Sequence, residues 1–213
     1  GSINLNLAEG AIGIADAGYV HLNEAPINTV ADQHGAEDTV LHIVGLATSD
    51  VDVNAGNADG IMTVTLSVVH GVLWQSATTP GASDAPPAGA GRTLVLTGTL
   101  QQINVLLSQI YYKGDQDFNT FRDRETLTMV TNDQGNFGDA DGDGIPGENP
   151  DDALKDTDTL NIVIDPVNDA PIANPDLAIA LEAGGLNNAD PGIDPTGNVL
   201  TNDVQGADRV AGG

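Results

Sequence analysis

Ile61-Met62-Thr63-Val64-Thr65-Leu66-Ser67-Val68-Val69 is the stretch on which the fold turns. Met62, Val64, Leu66 and Val68 alternate with Thr63, Thr65 and Ser67, the period of two expected of a strand that buries one face. Working outward, residues 38–44, 92–97, 126–131 and 159–164 carry the same alternation or the same β-branched density and also read as strands. Residues 101–110 break the pattern. There Ile103, Leu106, Leu107 and Ile110 recur at i, i+3, i+4 and i+7, the apolar stripe of one short helix bridging two strands. Residues 76–91 are rich in Pro, Gly and Ala without any period, and are expected to form an exposed excursion. Short strands separated by turn signals predict an all-β chain folded as a two-sheet sandwich.

Composition narrows the function. Six Lys and Arg stand against 31 Asp and Glu, a formal charge of -25 that makes nucleic acid an unfavourable partner. A hydrophobic content of 40% argues for a packed domain rather than a disordered acidic chain. With no cysteine there is neither a disulfide framework nor a thiolate metal site. No apolar run approaches the ~20 residues of a membrane span, so membrane insertion is not expected.

The acidic residues gather at the ends of the apolar runs. Asp50 with Asp52, Asp123 with Glu125, Asp139 with Asp141 and Asp143, and the stretch Asp165-Pro166-Val167-Asn168-Asp169-Ala170-Pro171 all lie where loops are expected. Such groups suit a hard cation, because Ca2+ takes about six to eight oxygens and tolerates irregular geometry. Asp139, Asp141 and Asp143 occupy positions 1, 3 and 5 of an EF-hand-like loop with Gly144 at position 6, although Pro150 stands where the bidentate Glu would close it. The plain alternative is that Asp and Asn at these points simply make turns.

The phrase Asn23-Glu24-Ala25-Pro26-Ile27 returns as Asn168-Asp169-Ala170-Pro171-Ile172. Repeated punctuation of this kind marks a modular array. It divides the chain into the tail of a preceding module or linker (1–22), one whole module (23–171) and the start of another (172–213).

Glu37-Asp38-Thr39, Ser49-Asp50-Val51-Asp52, residues 96–104, Thr131-Asn132-Asp133-Gln134-Gly135, residues 158–164 and Val167-Asn168-Asp169-Ala170-Pro171 together resemble the cadherin-like repeats of large, RTX-type bacterial surface adhesins. Glu182-Ala183-Gly184-Gly185 and residues 197–203 look like the opening of the VCBS repeat found in such proteins. The resemblance implies a cadherin-like or Ig-like sandwich with partial flanking segments. It implies calcium at one junction on Glu37, Asp123, Glu125, Asn168 and Asp169, with Asp165 beside them. At the opposite junction it implies Asp50, Asp52 and Asp133. The neighbouring modules of the same chain would be the partners, and the expected setting is the bacterial cell surface, in adhesion and biofilm formation.

An enzyme is not expected. The four histidines show no paired ligand spacing, and there is neither a Gly-x-Ser-x-Gly elbow nor a phosphate loop. Only 3% of residues are aromatic, which disfavours a sugar-stacking surface. A module that binds a glycan, or a host or biofilm surface protein, is the alternative to a structural spacer.

Overall fold

A computed structural model of the chain describes residues 23–52, 60–82, 84–121, 123–135, 153–204 and 206. The strands are β1 (Ile27–Thr29), β2 (Gln33–Ala36), β3 (Leu41–Ile43), β4 (Ala47–Ser49), β5 (Met62–Val68), β6 (Val72–Gln75), β7 (Thr93–Gly98), β8 (Ile110–Lys113), β9 (Glu125–Asn132) and β10 (Lys155–Asp165). One α-helix, α1 (Leu100–Leu107), joins β7 to β8. The fold is all-β with this short helix.

The alternation in β5 is realised in full: Met62, Val64, Leu66 and Val68 are buried and the intervening residues half-exposed. β5 is central because it pairs antiparallel on both sides, with Leu66 opposite Leu94 of β7 and opposite Met129 of β9. β9 pairs antiparallel with β10, and β10 pairs in parallel with β2, giving the order β2-β10-β9-β5-β7. β3, β8 and β6 form a three-stranded sheet, and β1 and β4 form a two-stranded one.

The five- and three-stranded sheets feed one core. Met62, Val64, Leu66, Leu127, Met129 and Ile162 come from the first, and Ile43, Leu73, Ile110 and Tyr112 from the second. Each such aliphatic side chain taken fully out of water contributes roughly 1.5–3 kcal/mol. α1 starts at a capping box in which the Thr99 hydroxyl accepts from the Gln102 amide and the Gln102 side chain accepts from the Thr99 amide. Its stripe buries Ile103 and Leu107. The helix is shorter than its periodicity predicts, because Ile110 opens β8 and pairs with both Ile43 and Gln75.

The described residues of 76–91 hold no helix or strand. Beyond Pro171 the described residues carry isolated bridges, such as Ile172 with Val204 and Leu181 with Ile193, and a 3-10 turn at Leu186–Asn188. Leu177 and Ile179 are 93% and 74% exposed, and no described residue after Ile164 belongs to the core. Among the described residues no helix is long and apolar enough to cross a membrane.

Candidate functional site

β9 separates two groups of acidic residues. It begins at Glu125 and runs to Asn132, so Glu125 and Asp133 lie at opposite ends of a rod about 26 Å long at ~3.3 Å per residue. β10 runs the other way and delivers Asp165 to the Glu125 end, from which residues 166–170 leave the sheet.

At the Asp133 end the incoming chain is held by carboxylates. The Asn23 side-chain amide donates to Asp133 Oδ2 at 2.7 Å, and the Glu24 backbone amide donates to Asp52 Oδ2 at 2.6 Å. Asp133 Oδ1 also accepts from the Gly135 and Leu154 amides, at 2.9 and 2.8 Å. Asp50, the residue after β4, accepts the Asp52 amide at 2.9 Å, a self-bonding turn. Asp50, Asp52 and Asp133 are 5%, 1% and 0% exposed. Each buried carboxylate carries a desolvation cost that its hydrogen-bond donors offset.

At the other end the outgoing chain is held in a comparable way. Buried Glu37, in the turn after β2, accepts the Val167 amide at 2.5 Å and the Asn119 side-chain amide at 3.2 Å. Its own amide donates to the Asp165 carbonyl. Next to it, Asp38 Oδ1 accepts the Asp117 amide at 3.3 Å. Carboxylate oxygens of Asp38, Asp117 and Asp169 all lie within 4.8 Å of one another. Three segments converge here: the β2–β3 turn, the loop after β8, and the Asn168-Asp169-Ala170-Pro171 phrase. Among the described residues no Lys or Arg pairs with Glu37, Asp38 or Asp169.

The remaining expected ligands are placed differently. Glu125 is the first residue of β9 and points inward with Leu127 and Met129. Its carboxylate accepts from the amides of Val69, His70 and Thr126 at 2.9, 2.7 and 2.9 Å, and from the Tyr112 hydroxyl at 3.1 Å. Burial, and then the adjacent Glu125 charge, push the Tyr112 phenol well above its ordinary range, so it remains a neutral donor. Asp123 is exposed and lies 3.4 Å from His70 Nε2. Asp165 pairs with His34 at 2.9 Å on the surface, and Asn168 is exposed. The structure therefore brings Asp169 together with Asp38 and Asp117 rather than with Asp123 and Glu125. Asp139, Asp141 and Asp143 lie outside the described residues.

Asp38 and Asp117 carried a weak signal in the sequence. Asp38 adjoins Glu37, and Asp115-Gln116-Asp117 repeats the Asp-x-Asp form of Asp50-Val51-Asp52. Comparison with known protein families, with curated proteins and with solved structures found no match for this chain.

Proposed function

We propose that the chain is a calcium-stiffened spacer module, a cadherin-like β-sandwich from the stalk of a bacterial surface adhesin, working outside the cell in adhesion and biofilm formation. The observation that carries this reading is the convergence of Asp38, Asp117 and Asp169. Oxygens bound to one Ca2+ at ~2.4 Å can be at most about 4.8 Å apart, and oxygens of this trio all lie within 4.8 Å of one another. One of the three belongs to the outgoing phrase, so an ion held there pins that phrase to the folded body. The Asp50, Asp52 and Asp133 group stands at the incoming phrase in the corresponding position. Together they make a unit whose exit is fixed by a cation-dependent contact and whose entry is fixed by hydrogen bonds to buried carboxylates, and such units in tandem form a stiff rod.

Calcium also answers the charge of -25 in a chain without disulfides. Extracellular modules bind it at about 10⁻⁴–10⁻³ M, so the chain would rigidify on reaching millimolar calcium. The glycan-binding alternative needs open ring faces. Trp74 and Tyr111 are each 5% exposed, and Tyr111 stacks on Trp74 and on His42. Calorimetric titration of chelator-treated protein with calcium tests the reading. Saturable binding that weakens in Asp38→Asn and Asp169→Asn supports it, and an absence of heat together with equal thermal midpoints in calcium and in chelator refutes it.

A further inference from the structure

β7 is an open edge. It pairs with β5 alone, and no other backbone bond to residues 93–98 is found among the described residues. The direction of its backbone groups follows from one contact. The Val68 amide donates to the Arg92 carbonyl at 2.9 Å, one step beyond Ser67 opposite Thr93, so Val68 and Arg92 are a hydrogen-bonded pair of the antiparallel ladder. Such pairs alternate along a ladder, so Leu94, Leu96 and Gly98 also turn their backbone groups toward β5. Thr93, Val95 and Thr97 therefore aim their amides and carbonyls away from the sheet.

The sequence of this edge reads the same in both directions: Thr93-Leu94-Val95-Leu96-Thr97. Antiparallel pairing of two copies about a two-fold axis at Val95 sets Val95 opposite Val95, Thr93 opposite Thr97 and Leu94 opposite Leu96. Thr93, Val95 and Thr97 are the set that this axis carries onto itself, so every outward group finds a partner, in about six hydrogen bonds. Leu94 and Leu96 meet on the inner face and the valines on the outer, so the alternation of β7 continues across the seam.

A formal charge of -25 on each chain opposes any such meeting. The β7 edge is where that opposition is weakest. Asp84 is the only acidic residue between Asp59 and Asp115, a stretch that supplies β5, β6, β7, α1 and β8. β7 itself carries neither a charge nor a proline, the usual protections of an edge, and Val95 at its centre is 58% exposed. At the Thr97 end, Thr97, Gln101, Gln102, Val105 and Leu106 line a surface cavity of about 470 Å3, which leaves room for Thr93 of the second copy.

We infer that β7 is a homotypic docking edge, at which two copies of this chain pair antiparallel about Val95 and join their five-stranded sheets into one. The contact needs no cation and joins chains side by side. A seam this short buries less than the ~1,000 Å2 of a lasting interface, so the dimer is transient, with a dissociation constant on the order of 0.1 mM.

The chain has no cysteine, so introduced ones read the register directly. Residues of a hydrogen-bonded antiparallel pair have Cα atoms ~5.5 Å apart, within reach of a disulfide. Under mild oxidation Val95→Cys is expected to form a covalent dimer and Thr97→Cys alone to form little. A mixture of Thr93→Cys with Thr97→Cys is expected to give the mixed dimer. Sedimentation of the parent up to ~1 mM should show a monomer–dimer equilibrium that strengthens with salt, as screening relieves the shared negative charge. Val95→Pro removes an amide that β5 does not use, and Val95→Lys places two like charges at the axis. Each is expected to weaken association by roughly tenfold or more while leaving the thermal midpoint of the dilute monomer within a few degrees of the parent's. A parent that stays monomeric throughout, or cross-linking that is equal at all three positions, overturns the pairing. Dimers that survive both Val95 substitutions belong to another surface and overturn it as well.

Discussion

Asp38→Asn separates a cation site from an ordinary acidic surface. Asp38 sits at φ +58°, a left-handed conformation that Asn adopts readily, and Asn keeps the oxygen that accepts the Asp117 amide. The substitution therefore removes charge with little change of shape. Two unit charges 4.8 Å apart repel by about 0.9 kcal/mol in water. Salt at physiological strength, with a Debye length of ~8 Å, cuts this by roughly half. Asp38 has two such neighbours, so Asp38→Asn should stabilise the calcium-free protein by about 1 kcal/mol, or about 2–4 °C in midpoint for a domain of this size. With calcium at ten times its dissociation constant the parent gains about 1.4 kcal/mol, whereas a variant binding about tenfold more weakly gains only ~0.4 kcal/mol. The variant's lead in chelator should then vanish in calcium. Thermal unfolding followed by near-ultraviolet circular dichroism in both buffers measures this. A shift of the same sign and size in both conditions would refute a shared ion at Asp38.

Glu125→Ala leaves four donors without their acceptor and should cost roughly 3 kcal/mol or more, equally with calcium and with chelator; a denaturant titration in each buffer reads it, and calcium-dependent destabilisation would instead favour Glu125 as a ligand. Tyr112→Phe removes one of those donors, for about 1.5 kcal/mol at neutral pH. The native phenol holds its proton above the ordinary tyrosine value while the unfolded chain releases it near pH ~10, so Tyr112 contributes a stability that is complete below pH ~10 and declines above it. Stability measured from pH 8 to 11 should fall more steeply in the parent than in Tyr112→Phe, and parallel curves would contradict the assignment. Gly71→Ala meets two obstacles, a φ of +77° and a Cβ that would overlap the Lys113 carbonyl oxygen, and should lower the denaturant midpoint by the equivalent of about 2 kcal/mol or more.

The two ends of β9 explain what could be read from the sequence and what could not. β5, β7, β9 and β10 are long enough to display their period. β1, β2, β4, β6 and β8 have three or four residues each, too few to show a period. They are strands because distant partners make them so: Ile27 lies opposite Ser49, and Gln33 opposite Ile162. The acidic residues divide in the same way. Asp50 and Asp52 are joined by a bond across two positions, so their pairing is local and visible. Asp38 and Asp117 are joined across 79 positions, and only the folded sheets bring their turns together. Asp123 and Glu125 look like a second local pair, yet the alternation of Leu127 and Met129 places Glu125 on the inner face, while Asp123 precedes the strand and is exposed. Strand parity, carried back from the hydrophobic residues, thus decides which carboxylate braces the core and which lies on the surface beside His70. Applied to the other strand end, the same rule puts Asp133, the residue after β9, in line with buried Thr131 and at 0% exposure. There an acidic side chain faces inward at the point where the Asn23 phrase enters, and Asp133 accepts the Asn23 side-chain amide across 110 positions, a contact that strand parity prepares and only the fold completes.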